Sequence, residues 1–267
     1  MYKNKTLAIV IPAYNEQELI IETLKNLPDF VDLAIVVDDF SNDKTYDLVK
    51  TYSVNSRIKI KLIKNSKNIG VGGSIKIGYK ESLDRKIDLV SVMAGDNQMN
   101  PKYLPKLLDP LVLGIADYSK GNRLHHPEKR KMPLFRRFGN NILTLLNKIS
   151  TGYWEISDPQ NGYTAITNES LRKIDLEKVY SGYGYCNDLL SNANIHNLRI
   201  CDIVMPPVYG NEVSGIRIGR YMILMLYLLT RGFINRINLK YGGSNFHPIL
   251  FSYYISFCSI IILTIMS

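Results

Sequence analysis

Cysteine is scarce. Cys186, Cys201 and Cys258 are the three thiols in 267 residues, with no CxxC pair and no His/Cys group at zinc spacing. That excludes a disulfide framework and a zinc ribbon, and the thiols are expected to be reduced, packed side chains in a cytosolic setting. His125 and His126 lack a partner at ligand spacing and read as loop residues. No GxGxxG follows the first apolar run, which disfavours a dinucleotide-binding dehydrogenase. No signal peptide is expected, because Met1–Lys5 is polar and Leu7–Ile11 is too short for an apolar targeting core. Internal repeats and low-complexity linkers are absent. Acidic residues are outnumbered, 24 Asp and Glu against 33 Lys and Arg, a net charge of +9. Such a balance suits nucleic acid, anionic lipid or phosphorylated substrates. Beyond Gly210 there are five basic residues (Arg217, Arg220, Arg231, Arg236, Lys240) and one acid, Glu212, and then a terminus with no charge at all. That arrangement favours a membrane surface over a nucleic-acid groove, so no nucleic-acid partner is expected.

What is present is an apolar content of 46%, enough for one large domain with an appendage. Leu7–Ile11, Leu33–Val37, Ile58–Ile63 and Ile87–Val92 read as strands. Helical patterns lie between them, from Asn15, over Lys44–Tyr52, and from the glycine-rich loop to Leu83. This alternation predicts an α/β fold with a mainly parallel sheet flanked by helices. The second half is less regular. It carries helices over Pro101–Leu113, Pro133–Ile149 and Tyr185–Ile195, and strands at Ala116–Gly121, just after Tyr163 and at Ile200–Met205. Tyr221–Leu229 is apolar between Arg220 and Arg231. At about two helical turns it is too short to span a bilayer and suits an interfacial helix. Ile249–Ser267 has no charged residue over 19 positions. As a helix it measures about 28 Å, close to the ~30 Å hydrocarbon core, and is expected to be one transmembrane helix.

The chain is organised around Ala94-Gly95-Asp96-Asn97-Gln98, which follows the strand ending at Val92. Ligands of open α/β sheets collect at such carboxyl ends, and Asp96 with Gln98 offers two oxygens to a divalent cation already carrying phosphates. Pro12-Ala13-Tyr14-Asn15-Glu16 follows the first strand. Tyr14 can stack on a base and the backbone amides can meet phosphate or ribose, or the stretch is a plain strand–helix turn with Asn15 as cap. Asp38 and Asp39 end the second strand, where they bind a base or ribose or merely cap the next helix. Asn68–Gly73 lets backbone approach a ligand closely, or forms an ordinary turn.

Together these stretches resemble the family 2 glycosyltransferases of the GT-A fold, and most closely the branch of dolichol-phosphate and polyprenyl-phosphate sugar transferases. The matching runs are VIPAYNE (Val10–Glu16), VVDDFS (Val36–Ser41), NIGVGGS (Asn68–Ser74) and AGDNQMNP (Ala94–Pro101), in the family's order and spacing. The resemblance covers about residues 6 to 210. It implies a nucleoside-diphosphate sugar donor contacted by Pro12, Ala13, Tyr14, Glu16, Asp38, Asp39, Asn68, Gly70 and Gly95. It also implies Mg²⁺ or Mn²⁺ held by Asp96 and Gln98. Asp188 falls where the family often carries a catalytic acidic pair, here with Asn187 in place of the other acid. Asp158, Gln160 and Gly162 resemble the acceptor-side turn, and Arg123 with Arg136 or Arg137 is expected to clamp an acceptor phosphate. Two positions depart from the pattern. Ala94 replaces the first Asp of the family's Asp-x-Asp motif, and Phe40 stands where glycine is usual. The expectation is therefore a membrane-bound inverting transferase at the cytoplasmic face, acting on a polyprenyl phosphate or a lipid-linked glycan. Its domain would span residues 1–210, a juxtamembrane interfacial segment 211–248 and a span 249–267. The rival is a catalytically degenerate nucleotide-sugar binder. A nucleotidyltransferase would want a basic, glycine-rich first loop, which PAYNE is not.

Overall fold

The computed structural model describes residues 1–124, 134–206, 218–242 and 247–266. One seven-stranded sheet carries the fold. Its strands are β1 (Leu7–Ala13), β2 (Leu33–Asp38), β3 (Lys59–Lys64), β4 (Leu89–Val92), β5 (Tyr118–Asn122), β6 (Thr164–Thr167) and β7 (Ile200–Val204), in the order β3-β2-β1-β4-β6-β5-β7. The pairings β1–β2, β1–β4, β2–β3 and β5–β7 are parallel. β6 runs antiparallel to both neighbours, β4 and β5, so the sheet is mixed.

The helices are α1 (Ile20–Lys25), α2 (Thr45–Val54), α3 (Val71–Asp84), α4 (Leu104–Val112), α5 (Leu134–Thr151), α6 (Asn168–Lys173), α7 (Tyr185–Ile195), α8 (Ile218–Tyr241) and α9 (Pro248–Met266). Every residue of β1, β2 and β4 is buried, because successive side chains serve opposite faces and both faces are covered. Ala8, Val10, Ile35, Val37 and Val90 join Ile75 and Tyr79 of α3 and Leu189 and Leu190 of α7 in one core. Leu7, Ile9, Ile11, Ala34 and Val36 join Ile20 and Leu24 of α1 and the leucines of α4 in the other. β3 alternates with lysines and forms the sheet's edge, where charge discourages pairing with another chain.

The helix before the last differs from the sequence reading. The apolar stretch Tyr221–Leu229 is only part of α8, which has 24 residues. Its cations do not end the helix, because they bond to the domain behind it. Arg236 donates through Nε to the Ser150 carbonyl (2.8 Å) and through a terminal nitrogen to that of Ile149 (3.0 Å), near the end of α5. Lys240 donates to the Asn194 carbonyl near the end of α7 (3.0 Å). Cations suit the negative pole of a helix. Met225, Leu228 and Leu229 bury one face of α8. Among the described residues, no helix is long and apolar enough to cross a membrane. The charge-free run falls on α9, and the side chains of 257–258 and 260–267 lie outside the described residues.

Candidate active site

Backbone bonds stitch the exits of β1, β2 and β4 together at one edge of the sheet. The Asp39 N–H donates to the Ala13 carbonyl (2.8 Å), Met93 N–H to Val10 (3.0 Å) and Gly95 N–H to Pro12 (3.3 Å). Thr23 of α1 donates its hydroxyl to the Gly95 carbonyl (2.9 Å). A Cβ placed on Gly95 would lie 3.4 Å from both Ala13 Cβ and Glu16 Cγ. Pro12, Ala13, Glu16, Asp39 and Gly95 therefore share one crevice wall. Tyr14 and Phe40, 45% and 44% exposed, stand on its two neighbouring turns.

The Tyr14 turn is tied down differently from the sequence reading. Asn15 N–H donates to Ser41 Oγ (3.0 Å), Glu16 N–H to Thr45 Oγ1 (2.8 Å) and Gln17 N–H to Asp43 (3.1 Å). These amides are held by protein, and α1 begins only at Ile20. Asn15 does not cap it. With φ of 56°, Asn15 instead accepts from the Asn42 N–H (2.9 Å). Asp43 and Thr45 were not singled out from sequence, and Ser41 was named only as the end of the VVDDFS run. Their only signal is a run of turn-forming polar residues after the two aspartates.

Asp39 is 4% exposed. Its Oδ1 accepts from Asn65 Nδ2 (2.8 Å) and Ile69 N–H (2.9 Å), and its Oδ2 from Gly70 N–H (2.8 Å). A carboxylate has about four acceptor positions, so two serve the glycine-rich loop, one serves Asn65 just before it, and one remains for a ligand. Asp38 is fully buried. It accepts from the Ser41 N–H (3.3 Å), and its Oδ1 has no partner among the described residues. Asp38 thus lies beneath the crevice. Asn68 is exposed on the same loop. Gly70 has φ of 86°, and a Cβ there would meet the Ser181 carbonyl at 2.7 Å, so both backbone conformation and space require glycine. Phe40, where the family has glycine, has φ of 63°. A left-handed backbone of this kind costs a side chain roughly 1–2 kcal/mol.

Asp96 lies half-buried on the turn after β4, with Oδ1 accepting from the Gln98 N–H (3.0 Å). Desolvation pushes its carboxyl above the ordinary value, and the Gln98 amide opposes that shift. Among the described residues there is no group of three or more His, Cys, Asp or Glu that could hold a metal ion. One carboxylate and one amide instead suit a cation that brings its own phosphate and water ligands.

The residues expected on the acceptor side enter from across the sheet. Because β6 is reversed, the turn preceding it lies at the same edge as the ends of β1, β2 and β4. Tyr163 donates its hydroxyl to the Asn100 carbonyl (3.3 Å), and a Cβ on Gly162 would lie 3.4 Å from Met99. Arg123 forks onto Asp158, Nε to Oδ2 at 2.7 Å and a terminal nitrogen to Oδ1 at 3.1 Å. The two predicted residues therefore grip each other, and part of the Arg123 donor set is committed within the protein. Gln160 donates to Asn187 Oδ1 (3.0 Å) and accepts from the Tyr221 hydroxyl of α8 (3.1 Å). Arg136 and Arg137, His125 and His126 lie outside the residues whose side chains are described.

Asp188 on α7 is 3% exposed. Its Oδ2 accepts from Tyr180 N–H (2.9 Å) and Arg231 of α8 (3.1 Å). Burial raises its carboxyl above the ordinary value, and the Arg231 guanidinium pulls it back. Two buried groups, Lys120 and Asn147, and the half-buried Asp202 near the turn before β6 were not anticipated. Lys120 on β5 donates its ammonium to the Asn161 carbonyl. Asp202 on β7 accepts from the Ser157 N–H (2.8 Å) and Asn122 (2.8 Å). Asn147 of α5 donates to Asn187. No local motif announces them, since strand pairing and helix packing bring them in.

A sheet of this order with nucleotide-side turns at one end is the GT-A architecture. The model of glycosyl transferase family 2 matches residues 8–175, and the chain belongs to that family of glycosyltransferases. It is 28% identical over 244 residues to the UDP-N-acetylglucosamine–dolichyl-phosphate N-acetylglucosaminyltransferase of Methanococcus voltae, covering 84% of this chain and 96% of that one. It is 32% identical over 202 residues to the undecaprenyl-phosphate mannosyltransferase of Micrococcus luteus, covering 73% and 80%. Glucosyl-3-phosphoglycerate synthase of Mycobacterium tuberculosis, solved in complex with UDP, superposes with a TM-score of 0.64 at 19% identity, covering 86% of this chain and 80% of that one. That likeness shows the shared fold. The same synthase has also been solved with Mn²⁺ and UDP.

Proposed function

We propose that this chain is a membrane-tethered, inverting, metal-dependent glycosyltransferase. It moves one sugar from a nucleoside-diphosphate sugar to a polyprenyl phosphate or a lipid-linked glycan at the cytoplasmic face. The observation that carries this reading is the meeting of the three strand exits with the turn before β6 at a single crevice. The names of the relatives supply the acceptor class.

On this reading Tyr14, Phe40 and the remaining acceptor position of Asp39 receive the nucleoside, while Asn68 and Gly70 line its loop. Asp96 and Gln98 would hold Mg²⁺ or Mn²⁺ together with the diphosphate. Bound there, the cation offsets charge on the departing diphosphate. Where the acceptor is a phosphate, it is already an anionic nucleophile and requires no base, and Asp188 then orients it; where it is a glycan hydroxyl, Asp188 takes the proton as the oxygen attacks. Inversion follows from a single displacement, since no residue here calls for a covalent intermediate.

The membrane part of the proposal rests on α8 and α9. Met222, Ile223, Leu226 and Tyr227 of α8 are exposed while Met225, Leu228 and Leu229 behind them are buried. That gives α8 an apolar outer face suited to the headgroup boundary. α9 carries the charge-free run and is proposed as the single span, with the basic residues before it keeping the domain cytoplasmic. Ala94 favours one second reading, a nucleotide-sugar binder without turnover.

Membranes carrying the protein are incubated with UDP-N-acetylglucosamine, UDP-glucose and GDP-mannose, with Mn²⁺ or EDTA, and label transfer to lipid and release of nucleoside diphosphate are followed. Metal-dependent transfer that disappears in Asp96→Ala is the expected result. Saturable nucleotide binding with no turnover on any donor refutes the enzyme and leaves the binder.

A further inference from the structure

The helix that bears the apolar outer face is joined to the donor loop by an unbroken run of polar contacts. It starts at Arg231, about one third exposed on α8, which donates to the buried Asp188 (3.1 Å) and to the Lys178 carbonyl (2.9 Å). The same Asp188 oxygen accepts the Tyr180 N–H (2.9 Å). One residue on, the Ser181 carbonyl accepts the Gly73 N–H of the glycine-rich loop (2.8 Å). That carbonyl would also clash with a Cβ on Gly70, at 2.7 Å, and the Tyr180 carbonyl would clash with one on Gly72. Gly70 and Ile69 in turn donate to Asp39. Lys76 of α3 adds a parallel tie to the Val179 carbonyl (3.0 Å). Residues 178–181 are therefore clamped between α8 on one side and the donor loop on the other, and Arg231 is the only cation of α8 bonded to Asp188 among the described residues.

We propose that Arg231 is a positioning residue, whose ion pair with Asp188 transmits the seating of α8 on the bilayer to the shape of the glycine-rich donor loop. This rests on the reading of α8 as an interfacial helix. A carboxylate that accepts both a backbone N–H and a guanidinium fixes the 178–181 segment while both bonds persist. With Arg231 absent, a buried charge is left with one partner fewer, and the segment can follow Asp188 away from Gly70 and Gly73. The donor pocket is then well formed only when α8 is held in place, which confines binding of the donor to protein that is on the membrane.

Hydrogen–deuterium exchange tests this without any donor, so it is decided separately from the transferase assay. The full chain is compared in detergent and after reconstitution into vesicles of phosphatidylcholine and phosphatidylglycerol. In the wild type, reconstitution is expected to slow exchange in the peptide spanning 68–75 by on the order of tenfold. In Arg231→Met that difference is expected to vanish while peptides of β1 and β2 keep their protection. Arg231→Lys, which retains the charge, is expected to restore it in part and guards against a simple folding defect. Equal slowing in wild type and Arg231→Met, or no slowing in the wild type, overturns the proposal. So does loss of protection in β1 and β2 together with 68–75 in both variants. With a turnover donor in hand, Arg231→Met is expected to raise the donor KM by a larger factor than it lowers kcat. A purely structural defect would lower the active fraction instead.

Discussion

Replacing Asp39 by alanine separates two roles that a single carboxylate could play at the donor site. Its oxygens accept three hydrogen bonds at 2.8–2.9 Å from Asn65, Ile69 and Gly70. Bonds to a charged partner contribute about 1.5–3 kcal/mol each. They are not additive, and Ile69 and Gly70 are partly exposed, so water can replace some of what is lost. A net cost of about 3 kcal/mol follows. For a chain of this size that corresponds to a fall in Tm of roughly 6–12 °C. Asp39→Asn should lose nearly as much, because its amide NH₂ turns a donor toward the N–H of Gly70 or Ile69. The assay is thermal unfolding in detergent beside donor titration. If either variant keeps the wild-type Tm and only the donor KM rises, Asp39 is a ligand contact rather than the brace of the loop, and the reasoning fails.

Two further outcomes follow from the same geometry. Asp117 receives Nε, a terminal nitrogen and the backbone N–H of Arg199, and these bonds and the nearby positive charge hold its carboxyl below the usual 3.8. A lowered pKa stabilises the fold above the unfolded value and loses that contribution as pH falls through the folded one. Asp117→Asn should therefore flatten the loss of stability below about pH 4 and lower stability at pH 7, read from urea midpoints across pH. Phe40→Gly removes a side chain from a left-handed backbone and should raise stability by up to about 1 kcal/mol. If the exposed ring stacks on the base, it should at the same time raise the donor KM, measured by thermal melts and initial rates.

The strand ends and the turns that follow them were legible because their signals are local. Each of PAYNE, DDFS, NIGVGG and AGDNQ sits within a few residues of a strand end, so a motif and a place in the sheet were read together. β1, β2 and α7 fall within one or two residues of their expected bounds. The acceptor half was legible only in part. Asp158 and Arg123 could be named, but that they hold each other depends on β5 and the turn before β6 meeting across the sheet. Lys120, Asn147 and Asp202 could not be named, since each is meaningful only through a partner far away in the chain. α8 was underestimated because charged residues read as the end of an apolar run. Arg236 and Lys240 instead find helix carbonyls to bond, a compensation that periodicity does not reveal.

The place of β5 in the sheet has a consequence for biosynthesis. β1 to β4 form a contiguous set, so the nascent chain can pair them once residue 92 is available. β5 is then made next but has no neighbour among them. Its two partners are Thr164–Thr167 and Ile200–Val204, both still to be translated. For that interval the strand Tyr118-Ser119-Lys120-Gly121-Asn122 has two open edges, the state in which strands join the wrong chain. Its lysine and glycine make it a poor template for such pairing. That same lysine ends fully buried beneath Asn161, so a charge that guards the growing chain becomes, once β6 arrives, a support for the turn that leads into β6.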